Sequence, residues 1–309
     1  MGLTNKSVGT GAIDNGLIIK KETSSDRVIA LVGNPNVGKS TVFNELTGLH
    51  QHTGNWPGKT VSTAQGVCNY RGTDYIFVDL PGCYSLLAHS AEEEVARDFI
   101  CFESPDAAVV VCDATCLERN LNLVLQVLEI IPKTIVCINL SDEAERKGIY
   151  INTSKLSELL CTPVIQTSAR DGAGLENLLD KLIYISCSDS VHCSPLVKYD
   201  PFIEGALEQL IPVVNEVTNG KINSRWLSLR LLDLDDSLEK SLYRFLGFDI
   251  LDDPQVSKKL TEVQNYFKSN GISERSIKDS IIESIILRAE KIYKSTVSVA
   301  KESYNARDI

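Results

Sequence analysis

An α/β fold, a mainly parallel sheet with helices on both faces followed by a small all-helical domain, is what this sequence of 309 residues predicts. Three observations carry that reading. Between residues 26 and 186, short apolar runs alternate with amphipathic stretches, the pattern of buried strands joined by crossover helices. The first run, Val28–Val32, leads into a glycine-rich turn and then a helical pattern that Gly48 closes. After residue 200 only helical periodicity is left.

In chain order, residues 1–25 are polar and glycine-dotted, which suits a flexible leader. Strands are expected at 28–32, 66–70, 75–79, 107–112, 134–138 and 163–166, each a short run of apolar side chains. Helices are expected between them at 39–47, 92–102, 117–130, 153–160 and 174–184; Glu92, Glu93 and Glu94 open the second, where carboxylates suit the helix dipole. These elements make one nucleotide-binding domain over 26–186. The small polar residues from Ser186 to Pro195 mark a linker, 187–200. Helices at 202–214, 224–233, 236–246, 255–269 and 273–298 then form a helical domain over 201–300, with a tail at 301–309.

The 41 acidic residues outnumber the 31 basic ones, so no basic field is available for broad nucleic-acid binding. Nine cysteines, an odd number without a C-x-x-C pair, fit free thiols in a reducing compartment. Apolar runs such as Ala107–Cys112 are too short to cross a bilayer, which points to a soluble polypeptide.

The chemistry is carried by motifs at strand ends, where ligand loops of open α/β sheets lie. Gly33-Asn34-Pro35-Asn36-Val37-Gly38-Lys39-Ser40, with Thr41 next in the helix, is a G-x4-G-K-S loop between a strand and a helix. Its backbone N–H groups would wrap phosphates, Lys39 would neutralise the β- and γ-phosphates, and Ser40 would bind Mg²⁺. Thr60, in the segment Gly58-Lys59-Thr60 after that helix, is placed as a second Mg²⁺ ligand that senses the γ-phosphate. Asp79-Leu80-Pro81-Gly82 ends another strand: Asp79 would hold a Mg²⁺-bound water and the Gly82 N–H would report the γ-phosphate. In Asn139-Leu140-Ser141-Asp142, the Asp142 carboxylate can accept both N1–H and the 2-amino group of guanine, which favours GTP over ATP. Ser168-Ala169-Arg170 would supply a backbone N–H for the guanine O6 and a wall for the base.

In this order the motifs are those of a Ras-like P-loop GTPase, and three runs narrow the match. Gly54-Asn-Trp-Pro-Gly-Lys-Thr-Val61, Asp79-Leu-Pro-Gly-Cys-Tyr-Ser-Leu86 and Asp113-Ala-Thr-Cys-Leu-Glu-Arg-Asn-Leu121 resemble the cytosolic GTP-binding portion of FeoB-type ferrous iron transport proteins. The resemblance runs from about 27 to 290 and weakens in the helical half, where Arg225-Trp226-Leu-Ser-Leu-Arg-Leu-Leu232 is similar to that family's Arg-Trp-Leu helix. It implies the cytoplasmic face of a bacterial or archaeal inner membrane, with a membrane-embedded transport domain following this region. The partners implied are a guanine nucleotide and that transport domain, without nucleic acid and with a homo-oligomer left open. The helical domain is expected to stabilise the GDP-bound form and to link the GTPase to the pore. Two alternatives stand beside this: a soluble GTPase of the ribosome-assembly type, and a GTP/GDP sensor with negligible hydrolysis.

The departures sharpen the expectation. Leu140 replaces the usual lysine of the base motif, which implies weaker guanine affinity and fast GDP release. Cys83 and Tyr84 stand where Ras-like proteins carry a water-orienting glutamine, so intrinsic turnover should be slow. The resemblance gives Asn36, with the carbonyls of Gly54 and Trp56, as ligands of a potassium ion that could do the work of an arginine finger. Lys59 and Ser62 depart from the family's apolar residue and glutamate. Trp56, flanked by Gly and Pro, reads as a mobile, partly exposed loop residue. His50, His52, His89, His192 and the run Cys187-x4-His192-Cys193 fit no metal spacing, and a solvated linker is preferred for the last.

Overall fold

The computed structural model describes residues 21, 23, 25–48, 51–56, 59–88, 90–187 and 195–300. Gly58, His50, His89, His192, Cys193, the tail, most of the linker and nearly all of the leader therefore lie outside the described residues.

The first half comprises β1 (Arg27–Gly33), α1 (Lys39–Thr47), β2 (Gln51–Asn55), β3 (Ser62–Tyr70), β4 (Thr73–Asp79), α2 (Ala91–Phe102), β5 (Ala107–Asp113) and α3 (Leu117–Ile130). It continues with β6 (Thr134–Asn139), α4 (Ser141–Arg146), β7 (Ile149–Ile151), α5 (Thr153–Leu160), β8 (Val164–Gln166) and α6 (Leu175–Cys187). The second half has α7 (Pro201–Thr218), α8 (Ser224–Leu231), α9 (Asp236–Leu246), α10 (Pro254–Ser269), α11 (Glu274–Thr296) and β9 (Val297–Val299). The main sheet has seven strands in the order β2-β3-β4-β1-β5-β6-β8, and β4, β1, β5, β6 and β8 run parallel. β1 and β5 are buried almost throughout because helices cover both faces, which explains their unbroken apolar runs.

Three differences from the sequence reading have physical causes. Gln51–Asn55 is a strand, antiparallel to a β3 that starts four residues earlier than 66–70 predicts. Its composition, Gln-His-Thr-Gly-Asn, has no apolar alternation, and pairing with β3 alone makes it a strand. The helical half is not purely helical: β9 pairs with β7, so a three-residue segment is fixed by a partner some 150 residues away in sequence. α7 runs on to Thr218 through Pro212, and stops at Asn219, whose φ is 51°.

One sheet face packs Ile29, Leu31, Phe77 and Val109 against α1 and α6. The other packs Ala30, Val78 and Val110 against α2 and α3, and that core continues without a break into Leu207, Trp226, Ile281 and Ile285 of the helical domain. α3 is thus shared by both halves. Its Glu129 accepts from the Tyr199 hydroxyl at 2.9 Å, and its backbone carbonyl accepts from Asn223 Nδ2 at 2.9 Å. α2 makes the second junction: Arg97 donates to Ser237 at 3.1 Å, Ser241 donates to Asp98 at 2.8 Å, and Phe102 stacks on Phe245. Among the described residues no helix is long and apolar enough to cross a membrane.

Candidate active site

β1 delivers the chain to the phosphate loop at Gly33, where any side chain would collide: an added Cβ would sit 2.6 Å from the Val111 carbonyl oxygen of β5. The loop then bends through left-handed φ values at Asn36 (66°) and Gly38 (79°). Gly38 caps α1 without a side-chain hydrogen bond, so the first N–H groups of the helix face outward, as phosphate binding requires. Val37 is buried and anchors the loop in the core, Asn36 is exposed, and Thr41 is exposed on α1.

Lys39, Ser40 and Asp79 converge near the ends of β1 and β4. Lys39, buried among them, forms an ion pair with Asp79 and donates to the Leu80 carbonyl at 2.5 Å. The Ser40 hydroxyl lies 3.4 Å from the other Asp79 oxygen. A hydroxyl and a carboxylate side by side are the hard oxygen donors that Mg²⁺ takes, so this pair fits that ion. Among the described residues no cluster of three His, Cys, Asp or Glu side chains forms any other metal site.

The segment after Asp79 is tied to the phosphate loop by its backbone. The Cys83 N–H donates to the Gly33 carbonyl at 3.1 Å, and Gly82 lies so close to Pro35 that an added Cβ would be 3.2 Å from its Cα. The Cys83 thiol faces the core at 1% exposure, and burial, with Glu93 beside it, pushes its pKa up to about 12. Tyr84 turns to the surface beneath the Arg119 guanidinium of α3, 4.2 Å from its ring centre. Gln126 of α3 accepts from the Leu86 N–H at 2.8 Å and the Ser85 hydroxyl at 2.9 Å. Sequence reasoning missed both α3 residues; Gln126 was visible only as a polar residue within the run Leu121–Ile130, otherwise mostly apolar.

Thr60 is exposed, on a turn that folds onto α2. The turn closes through Trp56 N–H to Val61 O at 2.8 Å and Lys59 N–H to Trp56 O at 3.0 Å. Lys59 pairs with Glu94 at 2.6 Å, and Trp56 packs edge-on against Phe99 with ring centres 6.2 Å apart. Contrary to expectation Trp56 is buried, at 8% exposure: its Gly and Pro neighbours put it in a loop, but Phe99 gives it an apolar seat. The loss of hydration on burial opposes the Glu94 charge, yet hydrogen bonds from Lys59 and Ser237 outweigh it and hold the carboxyl below its ordinary range. Gly54 is paired with Thr63 within β2–β3, and the Trp56 carbonyl already accepts from Lys59, so Asn36, Gly54 and Trp56 are not assembled around a common point by any contact of the described residues.

At the end of β6, Asn139 braces three segments at 1% exposure. Its Nδ2 donates to Val37 O at 3.1 Å, and its Oδ1 accepts from the Ala169 N–H at 3.0 Å and the Thr167 hydroxyl at 3.2 Å. Leu140 turns the chain with a φ of 60°, and Asp142 follows in the first turn of α4. Some lost hydration works against the Asp142 charge, but hydrogen bonds from Ser168 and Arg146 prevail and keep its carboxyl below the ordinary range. An ionised carboxylate is the form that accepts from guanine. The Ser168 N–H donates to Ala173 O and that of Ala169 to Asn139, so a base carbonyl would compete for them; Arg170 is exposed at the rim. The Asp113-to-Leu121 run is structural at its ends: Asp113 caps the turn at Thr115, and Asn120 Oδ1 accepts from the Asp113 N–H at 2.7 Å.

This arrangement matches known proteins along most of its length. Residues 27–182 match the family model described as ferrous iron transport protein B, and residues 199–298 that of the FeoB cytosolic helical domain. The Fe(2+) transporter FeoB of Methanocaldococcus jannaschii is 38% identical over 213 residues, 69% of this chain and 31% of that protein. A Fe(2+) transport protein A/Fe(2+) transporter FeoB fusion protein of Porphyromonas gingivalis is 36% identical over 223 residues, 71% of this chain and 26% of that protein. The chain thus spans about a third or less of the length of these relatives. Among solved structures, a mutant of S. thermophilus NFeoB bound to GDP superposes with a TM-score of 0.73 at 30% identity, covering 88% of this chain and all of that one. The cytosolic domain of the T. maritima FeoB transporter in its GMPPNP form gives 0.68 at 29% identity, covering 88% of this chain and 99% of that one.

Proposed function

The chain belongs to the ferrous iron transport protein B family, and from that membership and the site's geometry we propose that it binds GTP with Mg²⁺ and hydrolyses it to GDP and phosphate, as the cytosolic GTPase of a prokaryotic inner-membrane ferrous iron transporter. The observation that carries this is the meeting of Lys39, Ser40 and Asp79 near the ends of β1 and β4, with the Asp142 carboxylate just beyond β6 held by Ser168 and Arg146. Lys39 exchanges its bond with Asp79 for the β- and γ-phosphates, which frees the Asp79 carboxylate for the metal's water shell. Ser40, with Asp79 beside it, would hold a Mg²⁺, which when bound would supply positive charge to the phosphates. Asp142 accepts from guanine N1–H and the 2-amino group, a pairing that adenine lacks. Thr60 joins only after its turn leaves α2, so closure of this turn costs the Lys59–Glu94 and Trp56–Phe99 contacts. That cost, with no glutamine after Gly82, is the reason slow intrinsic turnover is proposed.

Potassium stimulation is part of the same reading, supported by the family pattern at Asn36 and by the exposed position of that side chain. Phosphate release from GTP, compared in potassium and sodium buffers for the wild type and Asn36→Ala, tests it. Faster release in potassium that is lost in the variant supports the reading; equal rates in both salts refute it. The acidic surface, and the junction of the helical domain with α2 and α3, favour coupling to the transporter's membrane part over binding of RNA.

A further inference from the structure

Asn34 carries a side chain that the fold buries and does not use. It follows β1 directly and is 3% exposed, yet among the described residues neither its Oδ1 nor its Nδ2 has a hydrogen-bond partner. Native folds seldom keep a buried amide unpaired, and where they do the group commonly serves function. Its two chain neighbours show which function. The Gly33 carbonyl accepts from the Cys83 N–H at 3.1 Å, and Pro35 is the residue against which Gly82 packs. Asn34 therefore sits between the two points at which the phosphate loop touches the phosphate-sensing segment. That segment supplies no water-orienting side chain of its own, because Cys83 faces the core and Tyr84 lies under Arg119.

We propose that Asn34 is a positioning residue of the hydrolytic step: its amide, which offers two donors and an acceptor oxygen, takes hold of the Gly82–Tyr84 backbone when GTP draws the Gly82 N–H onto the γ-phosphate. The amide acts through that backbone and does not itself touch the reacting atoms. Left unpaired, the amide is destabilising; once it holds that backbone it is satisfied. The unpaired amide thereby biases the molecule toward the closed arrangement only when the γ-phosphate is present. This rests on the reading of the site as a GTPase.

Asn34→Ala and Asn34→Ser separate this role from a structural one. The nucleotide-free thermal midpoint of Asn34→Ala should equal or exceed that of the wild type, since the substitution removes unpaired groups. GDP affinity should stay within about three-fold, while single-turnover GTP hydrolysis falls about ten-fold or more at little changed KM, and Asn34→Ser recovers part of the rate. A lower nucleotide-free midpoint overturns the proposal, because it shows the amide already paired. A hydrolysis rate within about three-fold of wild type, or equal losses of rate and GDP affinity, overturns it as well. If the wild type fails to hydrolyse GTP, the reading of the site falls; if the wild type hydrolyses and Asn34→Ala matches it, only the role of Asn34 falls.

Discussion

Asn139 is the residue whose loss should damage the site and the fold together, and the structure allows the size of that loss to be worked out. In Asn139→Ala the Val37 carbonyl loses a donor at 3.1 Å and the Ala169 N–H loses an acceptor at 3.0 Å, both in buried surroundings. Each orphaned buried group costs about 1–3 kcal/mol. The third partner, the Thr167 hydroxyl, also lies 3.2 Å from Cys137 Sγ and can turn to it, so it adds little. The sum is about 2–6 kcal/mol, a large share of the roughly 5–15 kcal/mol that holds a typical domain. Urea unfolding of the nucleotide-free protein is the suitable assay, because bound nucleotide would add its own stabilisation by mass action. The midpoint should fall with the slope unchanged. A loss below about 1 kcal/mol would mean instead that water or a rearranged loop satisfies both groups without cost, and that Asn139 is not the brace its contacts suggest.

Two further outcomes follow from other parts of the molecule. The half-buried Lys59–Glu94 pair contributes at most about 1 kcal/mol to stability, so Lys59→Ala should leave the unfolding midpoint nearly unchanged. In a Trp226→Phe background, however, it should move the Trp56 emission to longer wavelength as the turn leaves Phe99; an unmoved spectrum would assign the docking to the Trp56–Phe99 contact alone. Asp233, between α8 and α9, has its pKa raised to about 6 by burial, against the pull of Arg230 and Lys278 and with Asp235 adding to the rise. Its proton is held more tightly in the folded than in the unfolded chain, so the stability it lends is present at low pH and is lost as pH rises through about 6. Relative to Asp233→Asn, the wild type should lose about 3 kcal/mol of stability between roughly pH 4 and 7, and a pH-independent difference would show that Asp233 titrates normally.

The parallel core of the fold was legible because β1, β5 and β6 are buried on both faces and so appear as uninterrupted apolar runs. β2 and β9 were not, because each owes its existence to a partner strand and not to its own side chains. At the site, Lys39, Ser40, Asp79, Asn139 and Asp142 were readable from spacing, since phosphate and base chemistry demands those types at strand ends. The state of the Thr60 turn was hidden: nothing in Gly-Asn-Trp-Pro-Gly foretells that Phe99, more than forty residues later, will seat Trp56, or that Glu94 will take Lys59. Gln126 and Arg119 were hidden for the same reason. Their meaning depends on a helix that packs beside Leu86 and Tyr84, and a single sequence does not give that packing.

The central claim is that Asp142 makes this a guanine-specific hydrolytic site. Phosphate release from GTP, ATP and XTP with Mg²⁺ by the wild type and Asp142→Asn tests it most directly. The wild type should turn over GTP but not ATP, and preference should shift from GTP to XTP in the variant, whose amide can donate to the xanthine 2-oxygen. Equal use of GTP and ATP by the wild type, or an unchanged preference in Asp142→Asn, would contradict it.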